Sequence, residues 1–279
     1  MTYKCLFSVL TDAALADDTL AHAVAGARRH DAHLDLLCLG VDRSQSGYYY
    51  AGANALVLQE TIDHAVADAE AVATRARHQL EGADLRWSVE TGIAQLADIA
   101  RHVGQRARFA DLAILPQPYG EARGAELEPV TEAVLFEGAC PAMVLPAGNA
   151  PTPAPKRVMI AWNETAEALS AVKAAMPVLA TAEEVHVVIV DPPAHGPSRS
   201  DPGGPLSQYL ARHDIRAEIS VLSRTLPRVS DVLIRHGTDM NADLLVMGAY
   251  GHSRVREAIF GGATRNMLEH CPLPVLLAH

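Results

Sequence analysis

The sequence predicts an α/β protein of two tandem domains, each a five-stranded, doubly wound parallel sheet. The chain has 279 residues, and a typical domain size of ~100–200 residues favours two domains. Near its middle stands "PAGNAPTPAPK", whose four prolines can continue neither a helix nor a central strand. We therefore predict a linker at 147–155, between a first domain at 1–146 and a second at 156–279.

The same order of strand-like and helix-like runs stands on both sides of this linker. "YKCLFSVL" opens the first half and "KRVMIAW" opens the second, and an Ala-rich helical stretch follows each. The later strands also match: "HLDLLCLG" with "EVHVVIVD", "LRWSVET" with "IRAEISVLS", and, after a further helix, "ADLAILP" with "ADLLVMG". Each half ends with a helix, a Cys-Pro pair and a last strand. These matched landmarks indicate an internal repeat.

Strands that alternate with helices and are apolar on both faces predict a parallel sheet covered on both sides. Ligands of such sheets bind beyond the carboxyl ends of the strands, at the point where the strand order reverses. The run "ADLLVMG" ends at such a point. We therefore expect a ligand beside the segment that follows it.

That segment contains four glycines: Gly248, Gly251, Gly261 and Gly262. A tight turn with positive φ accounts for one or two of them. The last two precede the helical run "ATRNMLEH", and glycine at a helix start lets a ligand approach the backbone N–H groups. Those groups, with the helix dipole, favour phosphate. The loop is therefore interpreted as an anion site, with Ser253, Arg254 and Arg256 between the glycines.

The glycine spacing is G-x-x-G-x9-G, with nine residues between Gly251 and Gly261. This pattern resembles the nucleotide-binding members of the universal stress protein family, and "ADLLVMG" and "CPLPVLL" match that family as well. Two such domains in tandem would account for the whole chain. The resemblance implies binding of ATP or a related adenine nucleotide, dimers, and a role in stress response or signalling without demanding catalysis.

The resemblance also implies which residues line the nucleotide. Ala161 and Asn163 would lie near the adenosine, and Val190 would offer backbone to the base. The remaining residues would follow the nucleotide towards its phosphates: Met247, Gly248, Gly251, His252, Ser253, Gly261, Gly262 and Ala263. Among these, His252 has two readings, a contact to phosphate or a cap of the loop.

Two residues of the second half depart from the family pattern. Gly262 stands where the family has Ser or Thr, so one hydroxyl donor to phosphate is missing. Asn163 stands where the family has Asp, so the charge is lost, although an amide can still accept and donate.

The corresponding loop of the first half, "LPQPYGEARGAELEPVTEAVLF", departs further. Pro116 stands where Gly248 stands in the second half, and residues 129–131, Pro-Val-Thr, occupy the region of the later glycines. Proline has no N–H and blocks a close approach. Only Gly120 has a counterpart among the glycines, although Asp12 stands where the family has its Asp. The first domain is therefore interpreted as a partner that does not bind nucleotide.

Composition and charge limit the other functions. The net charge of −10 does not attract polyanions, so nucleic acid is not an expected partner. No run approaches the ~20 apolar residues of a membrane span, and the N-terminal run lacks a signal-peptide pattern. The four cysteines fit a reducing compartment, so a cytoplasmic location is predicted.

No metal centre and no catalytic residue is assigned. The cysteines match no zinc spacing, and the thirteen histidines include no His-x-His or His-x-x-x-His pair. Asp191 is a candidate ligand for Mg²⁺ that would accompany the phosphates. No Ser-His-Asp or Cys-His group can be placed on one site, so at most weak ATP hydrolysis is expected.

Two functions stay open. The first is a nucleotide-binding stress or signalling protein that uses only its second half, and the glycine spacing favours it. The second is a nucleotide-independent, pseudo-dimeric interaction module, and Gly262, Asn163 and the proline-filled first loop favour it. We further expect the last strands of the two halves to pair, and the tandem chains to form a homodimer.

Overall fold

The computed structural model describes residues 2–43, 55–120, 123–148, 154–192, 201–251 and 262–279. These residues form two compact units. The N-terminal unit is built mainly from Tyr3–Cys140, and the C-terminal unit from Pro141–Pro146 with Thr152–His279. Strands alternate with helices in both units, and the strands are mostly parallel, which confirms the predicted α/β class.

The N-terminal unit has a parallel sheet of strand order β3-β2-β1-β4. Its strands are β1 (Cys5–Leu10), β2 (His33–Asp42), β3 (Arg86–Gln95) and β4 (Leu112–Pro116). Its helices are α1 (Ala13–His30), α2 (Ala55–Leu80), α3 (Ile99–Ala107) and α4 (Leu127–Glu132). A π-helical turn at Ala133–Glu137 continues α4.

Helix α1 begins where Asp12 caps it. Oδ1 of Asp12 accepts a hydrogen bond from the backbone N–H of Ala14 at 2.7 Å, and such a cap stabilises a helix start. The helix ends at Asp31, which adopts the left-handed conformation with φ 48°. Asp12, the residue that matches the family's aspartate, is therefore used inside the N-terminal unit as a helix cap.

The expected proline-filled loop of the first half is partly a helix. Residues 129–131 lie in α4, where Pro129 is the third helical residue. Proline is tolerated there because the first N–H groups of a helix have no partner within it. The first intrahelical bond runs from the N–H of Val130 to the carbonyl of Glu126, at 2.9 Å. The expectation that these residues replace the glycine loop is therefore wrong.

The C-terminal unit has the strand order β5-β10-β9-β6-β7-β8. Its strands are β5 (Ala142–Leu145), β6 (Arg157–Ala161), β7 (Glu184–Val190), β8 (Ala217–Leu222), β9 (Leu244–Gly248) and β10 (Val275–Ala278). Its helices are α5 (Ala166–Leu179), α6 (Gly204–Ala211), α7 (Val229–Asp239) and α8 (Ala263–His270). The order reverses beside β6, since the chain continues to β7 on one side and later returns to β9 on the other. A ligand crevice is expected at that point.

Strand β5 comes from the end of the first half but lies in the C-terminal unit. It runs antiparallel to β10, and Val144 stands opposite Val275 and Ala142 opposite Leu277. The prediction that the last strands of the two halves pair is confirmed by this ladder.

Within the described ranges, no helix combines the length and the apolar character that crossing a membrane requires. The same residues contain no group of three or more His, Cys, Asp or Glu side chains that could hold a metal ion. The cysteines are free thiols. Burial raises the pKa of Cys271 to about 11 and that of Cys140 to about 12, so both thiols stay protonated at neutral pH.

Candidate functional site

A pocket of about 100 Å³ lies at the carboxyl ends of β6, β7 and β9 in the C-terminal unit. It is lined by Ala161, Trp162, Asn163, Val188, Val190, Val229, Leu233, Met247, Gly248 and Ala263. Small-molecule sites typically measure ~300–1,000 Å³, so this pocket would enclose only part of a nucleotide-sized ligand. It stands where the strand order reverses, which is the place the fold predicts for a ligand.

The structure brings six of the predicted site residues together around this pocket: Ala161, Asn163, Val190, Met247, Gly248 and Ala263. Gly251 and Gly262 are described but do not belong to the lining. The predicted residues His252, Ser253 and Gly261 lie outside the described residues, as do Arg254 and Arg256.

Four lining residues were missed by the sequence analysis: Trp162, Val188, Val229 and Leu233. Val188 shares a strand face with Val190, because side chains two residues apart point to the same side of a strand. Val229 and Leu233 stand four residues apart at the start of α7, and side chains at that spacing lie on the same face of a helix. Those two spacings could have indicated Val188, Val229 and Leu233, whereas no such signal existed for Trp162.

Gly248 is required by packing rather than by a turn. It is not among the described glycines with positive φ, so the expected left-handed turn is absent at this position. A Cβ atom on Gly248 would lie 2.5 Å from the backbone nitrogen of Ala168 and 2.7 Å from the carbonyl carbon of Glu167. The end of β9 therefore touches the first turn of α5, and any side chain would push the two apart.

The residue with left-handed backbone between Gly248 and Gly251 is Tyr250 and not a glycine. Tyr250 has φ 55°, in the left-handed region, which a bulky residue adopts only when its surroundings hold it there. Its backbone N–H donates to Oγ1 of Thr264 at 3.1 Å, and the neighbouring N–H of Ala249 donates to the carbonyl of Ala278 at 2.8 Å. Gly251 follows, and a Cβ there would stand 3.2 Å from Oε2 of Glu167.

Asn163 belongs to a tight turn between β6 and α5. Its Oδ1 accepts from the backbone N–H of Thr165 at 3.3 Å and from the Thr165 hydroxyl at 2.9 Å. The Thr165 hydroxyl in turn accepts from the N–H of Ala168 at 3.2 Å and caps α5. Glu164, between them, has φ 63°. The turn thus holds Asn163 at the pocket through one atom of its amide.

Helix α8 begins beside the pocket without a side-chain cap. Gly262 is its N-cap residue and makes no side-chain cap hydrogen bond. The first N–H groups of a helix have no partner within it and, with the helix dipole, favour an anion. Gly262 is in extended conformation, with φ −56° and ψ 150°.

A buried amide fixes α8 against α7. Asn266 is 6% exposed, and its Nδ2 donates to Oγ of Ser230 at 2.7 Å and to Oδ1 of Asp231 at 2.9 Å. Its Oδ1 accepts from Arg228 at 2.6 Å. Because Val229 and Ala263 both line the pocket, this network sets the distance between two of its walls.

The same end of the N-terminal unit is occupied by side chains of that unit. Glu126, the N-cap residue of α4, is 1% exposed, and its Oε1 accepts from Arg43 at 3.0 Å. Oε2 has no hydrogen-bond partner among the described residues. The loop folds closely around this carboxylate, since a Cβ on Gly124 would lie 2.2 Å from its Oε1. Pro116, at the end of β4, is buried.

Comparisons with known proteins agree with this architecture. Residues 155–279 match the model of the universal stress protein family. A universal stress protein of Synechocystis sp. is 29% identical over 92 residues, which span 33% of this chain and 31% of that relative. The chain therefore aligns with only about a third of this curated relative's length.

Solved structures resemble the chain over nearly its whole length. A universal stress protein of Archaeoglobus fulgidus has a TM-score of 0.72 at 15% identity, and the match covers 98% of this chain and 97% of that one. A protein described as a putative universal stress protein of Pseudomonas aeruginosa has a TM-score of 0.60 at 16% identity, covering 99% and 93%. At such identities the likeness concerns the fold alone.

Proposed function

Because residues 155–279 match the model of the universal stress protein family, we propose that this chain binds ATP or a related adenine nucleotide through its C-terminal unit and acts in stress response or signalling. The observation that carries the proposal is the pocket at the reversal of strand order, around which six residues implied by the family resemblance lie together. The N-terminal unit is proposed to bind no nucleotide, because Glu126 and Arg43 occupy the corresponding end.

The pocket suits a flat, apolar ring better than a charged group. Its walls carry Val188, Val190, Leu233 and Met247, and Asn163 is the polar side chain at its edge together with the indole of Trp162. Phosphates would extend towards the first turn of α8, where the backbone N–H groups and the helix dipole favour anions. A small pocket for the ring and a helix N-terminus for the phosphates match the two chemical parts of a nucleotide.

Mg²⁺ would come with the phosphates rather than reside in the protein. Asp191, which follows β7 with φ 51°, is the candidate ligand on the chain. Its carboxylate lies 3.8 Å from Nε of Arg224 and is 57% exposed. A single exposed carboxylate would at most add one ligand to a nucleotide-bound ion.

The test is calorimetric titration of the purified full chain with ATP, with a variant that fills the pocket. Val229→Phe places a larger ring where the ligand ring would lie, and ATP affinity is expected to fall at least ~10-fold. Val221→Phe is the matched control, because Val221 is 52% exposed on β8 and does not line the pocket. One site per chain is expected; two equivalent sites would contradict the role given to the N-terminal unit.

The second candidate is the nucleotide-independent interaction module. The filled end of the N-terminal unit and the pairing of β5 with β10 favour it, because both serve structure without a ligand. Absence of ATP binding by the parent protein, at concentrations where a family relative binds, would select this function. The proposed homodimer of tandem chains is tested separately, by light scattering.

A further inference from the structure

We infer that Asn163 acts as a hydrogen-bond donor to the ligand, so the pocket selects ligands that present an acceptor atom there, either a ring nitrogen or an oxygen. This inference rests on the proposed function of the pocket. It adds that Asn163 donates rather than accepts. The residue type alone does not decide this, because an amide can do both.

The orientation of the Asn163 amide is fixed by a group that can only donate. The backbone N–H of Thr165 points at one atom of the amide, 3.3 Å away, so that atom must be the oxygen. The Thr165 hydroxyl accepts from the N–H of Ala168 and therefore directs its own proton to the same oxygen, at 2.9 Å. The oxygen therefore accepts two hydrogen bonds from within the turn.

The nitrogen of the amide is left for the ligand. Nδ2 carries two N–H groups, and no hydrogen bond among the described residues uses them. Asn163 lines the pocket, and its side chain belongs to an exposed residue. Trp162, the other lining residue with a polar side-chain atom, also offers only an N–H. The lining side chains therefore supply donors and no strong acceptor.

A ligand that places an amino group against Asn163 would oppose two donors and leave both without a partner. A donor that the bound ligand covers and leaves unmatched typically costs ~1–3 kcal/mol, which is about five- to 150-fold in affinity. A carboxylate at this position would instead favour a ligand that presents a donor, since a carboxylate only accepts. The exchange of one side-chain atom, nitrogen for oxygen, is therefore the specificity-determining difference.

The experiment uses Asn163→Asp, which keeps the oxygen that Thr165 needs and replaces only the donor. Affinity is measured with ATP and with uncharged adenosine, so that repulsion of phosphate by the new charge is separated from loss of the donor. Ala166→Asp is the charge-matched control, because Ala166 is exposed on the first turn of α5 and takes no part in the turn. Circular dichroism confirms that all variants fold.

About tenfold weaker binding of both ligands by Asn163→Asp, with Ala166→Asp within about twofold of the parent for adenosine, supports the inference. Adenosine analogues that replace one ring nitrogen by C–H, or one sugar hydroxyl by hydrogen, then identify the acceptor. One of them should lose affinity for the parent and show no additional loss with Asn163→Asp.

Two results overturn the inference while leaving the proposed function intact. Tighter binding of adenosine by Asn163→Asp would mean that the contacted atom is a donor, and an affinity equal to that of Ala166→Asp would mean that no contact exists. A parent protein that binds neither ATP nor adenosine would remove the proposed function and this inference together.

Discussion

The matching strands of the two units, β3-β2-β1-β4 and β8-β7-β6-β9, follow the same order, but the residues at their carboxyl ends differ. In the C-terminal unit, Gly248 ends the fourth strand of its half and Gly262 caps the following helix, so neither adds a side chain. In the N-terminal unit those places belong to Pro116 and Glu126, and the Glu126 carboxylate is buried against Arg43. Strand order alone therefore does not make a pocket. Whether the end is open depends on the residues at the last strand position and at the helix cap.

The largest effect is expected from exchanging the residues that end these strands. Gly248→Val would force a branched side chain against the backbone of α5, 2.5 Å from its Cβ position. We expect destabilisation by more than ~3 kcal/mol, measured as a loss of the thermal transition of the C-terminal unit. Pro116→Val in the N-terminal unit, where β-branched residues suit a strand end, is expected to cost ~1 kcal/mol or less. A Gly248→Val protein with parental stability but no ATP binding would show that the glycine serves the ligand instead.

Two variants of the ion pair between Arg43 and Glu126 distinguish the effect of charge from the effect of side-chain volume in the N-terminal unit. Arg43→Ala removes the partner of a carboxylate that is 1% exposed, and is expected to destabilise by ~2–4 kcal/mol at neutral pH. Glu126→Met keeps a similar volume and leaves Arg43, which is 56% exposed, in contact with water. It is expected to be nearly neutral or stabilising. Chemical denaturation of both variants measures this difference, and equal losses would contradict the argument from desolvation.

The two helix caps that follow the first strand of each half form a matched pair. Thr165→Ala and Asp12→Ala each remove a side-chain acceptor at a helix start and should each cost ~1 kcal/mol. Only Thr165→Ala also releases Asn163, so only that variant should lower ATP affinity. Titration of both variants decides this, and an equal loss of affinity would show that the caps act through general stability.

The smallest effect is expected at the opposite, amino end of the C-terminal sheet. There Arg157 donates to both carboxylate oxygens of Glu184, at 2.6 and 3.0 Å, and holds the pKa of Glu184 at about 2. A lowered pKa contributes stability that is present above the ordinary value of 4.5 and is lost as the pH falls towards 2. Glu184→Gln should therefore melt slightly below the parent at neutral pH, and the difference should shrink through that window. Because the pair is exposed to solvent, high salt should also reduce the difference in melting temperature. A difference that is independent of pH would exclude the ion pair as its cause.

The order of strands and helices could be predicted from the sequence, because hydrophobic periodicity and composition are properties of short segments. The repeated strand and helix runs, the Cys-Pro pairs and the apolar strands correspond to the observed parallel sheets. Six pocket residues were predicted from the family resemblance, and most of them lie at the ends of neighbouring parallel strands, which meet at one edge.

The remaining features depend on contacts between distant residues. The reason for a glycine at position 248 is a backbone 80 residues earlier, at Ala168. The commitment of Asn163 to its own turn depends on the path that the chain takes after Glu164, whose positive φ no composition rule indicated. Pro129 was placed in the region of the later glycines by comparison of the two halves, whereas the structure has it in the first turn of a helix, where proline is tolerated.

Strand β5 also determines which fragments of this protein can be handled alone. A fragment that starts at residue 156 contains every described residue of the pocket but lacks the strand that is hydrogen-bonded to β10. Its apolar β10 would then present an open row of N–H and C=O groups, which is a template for association with other chains. Such a fragment is expected to aggregate or to acquire a strand from a second copy, and beginning it at Pro141 instead keeps that edge protected.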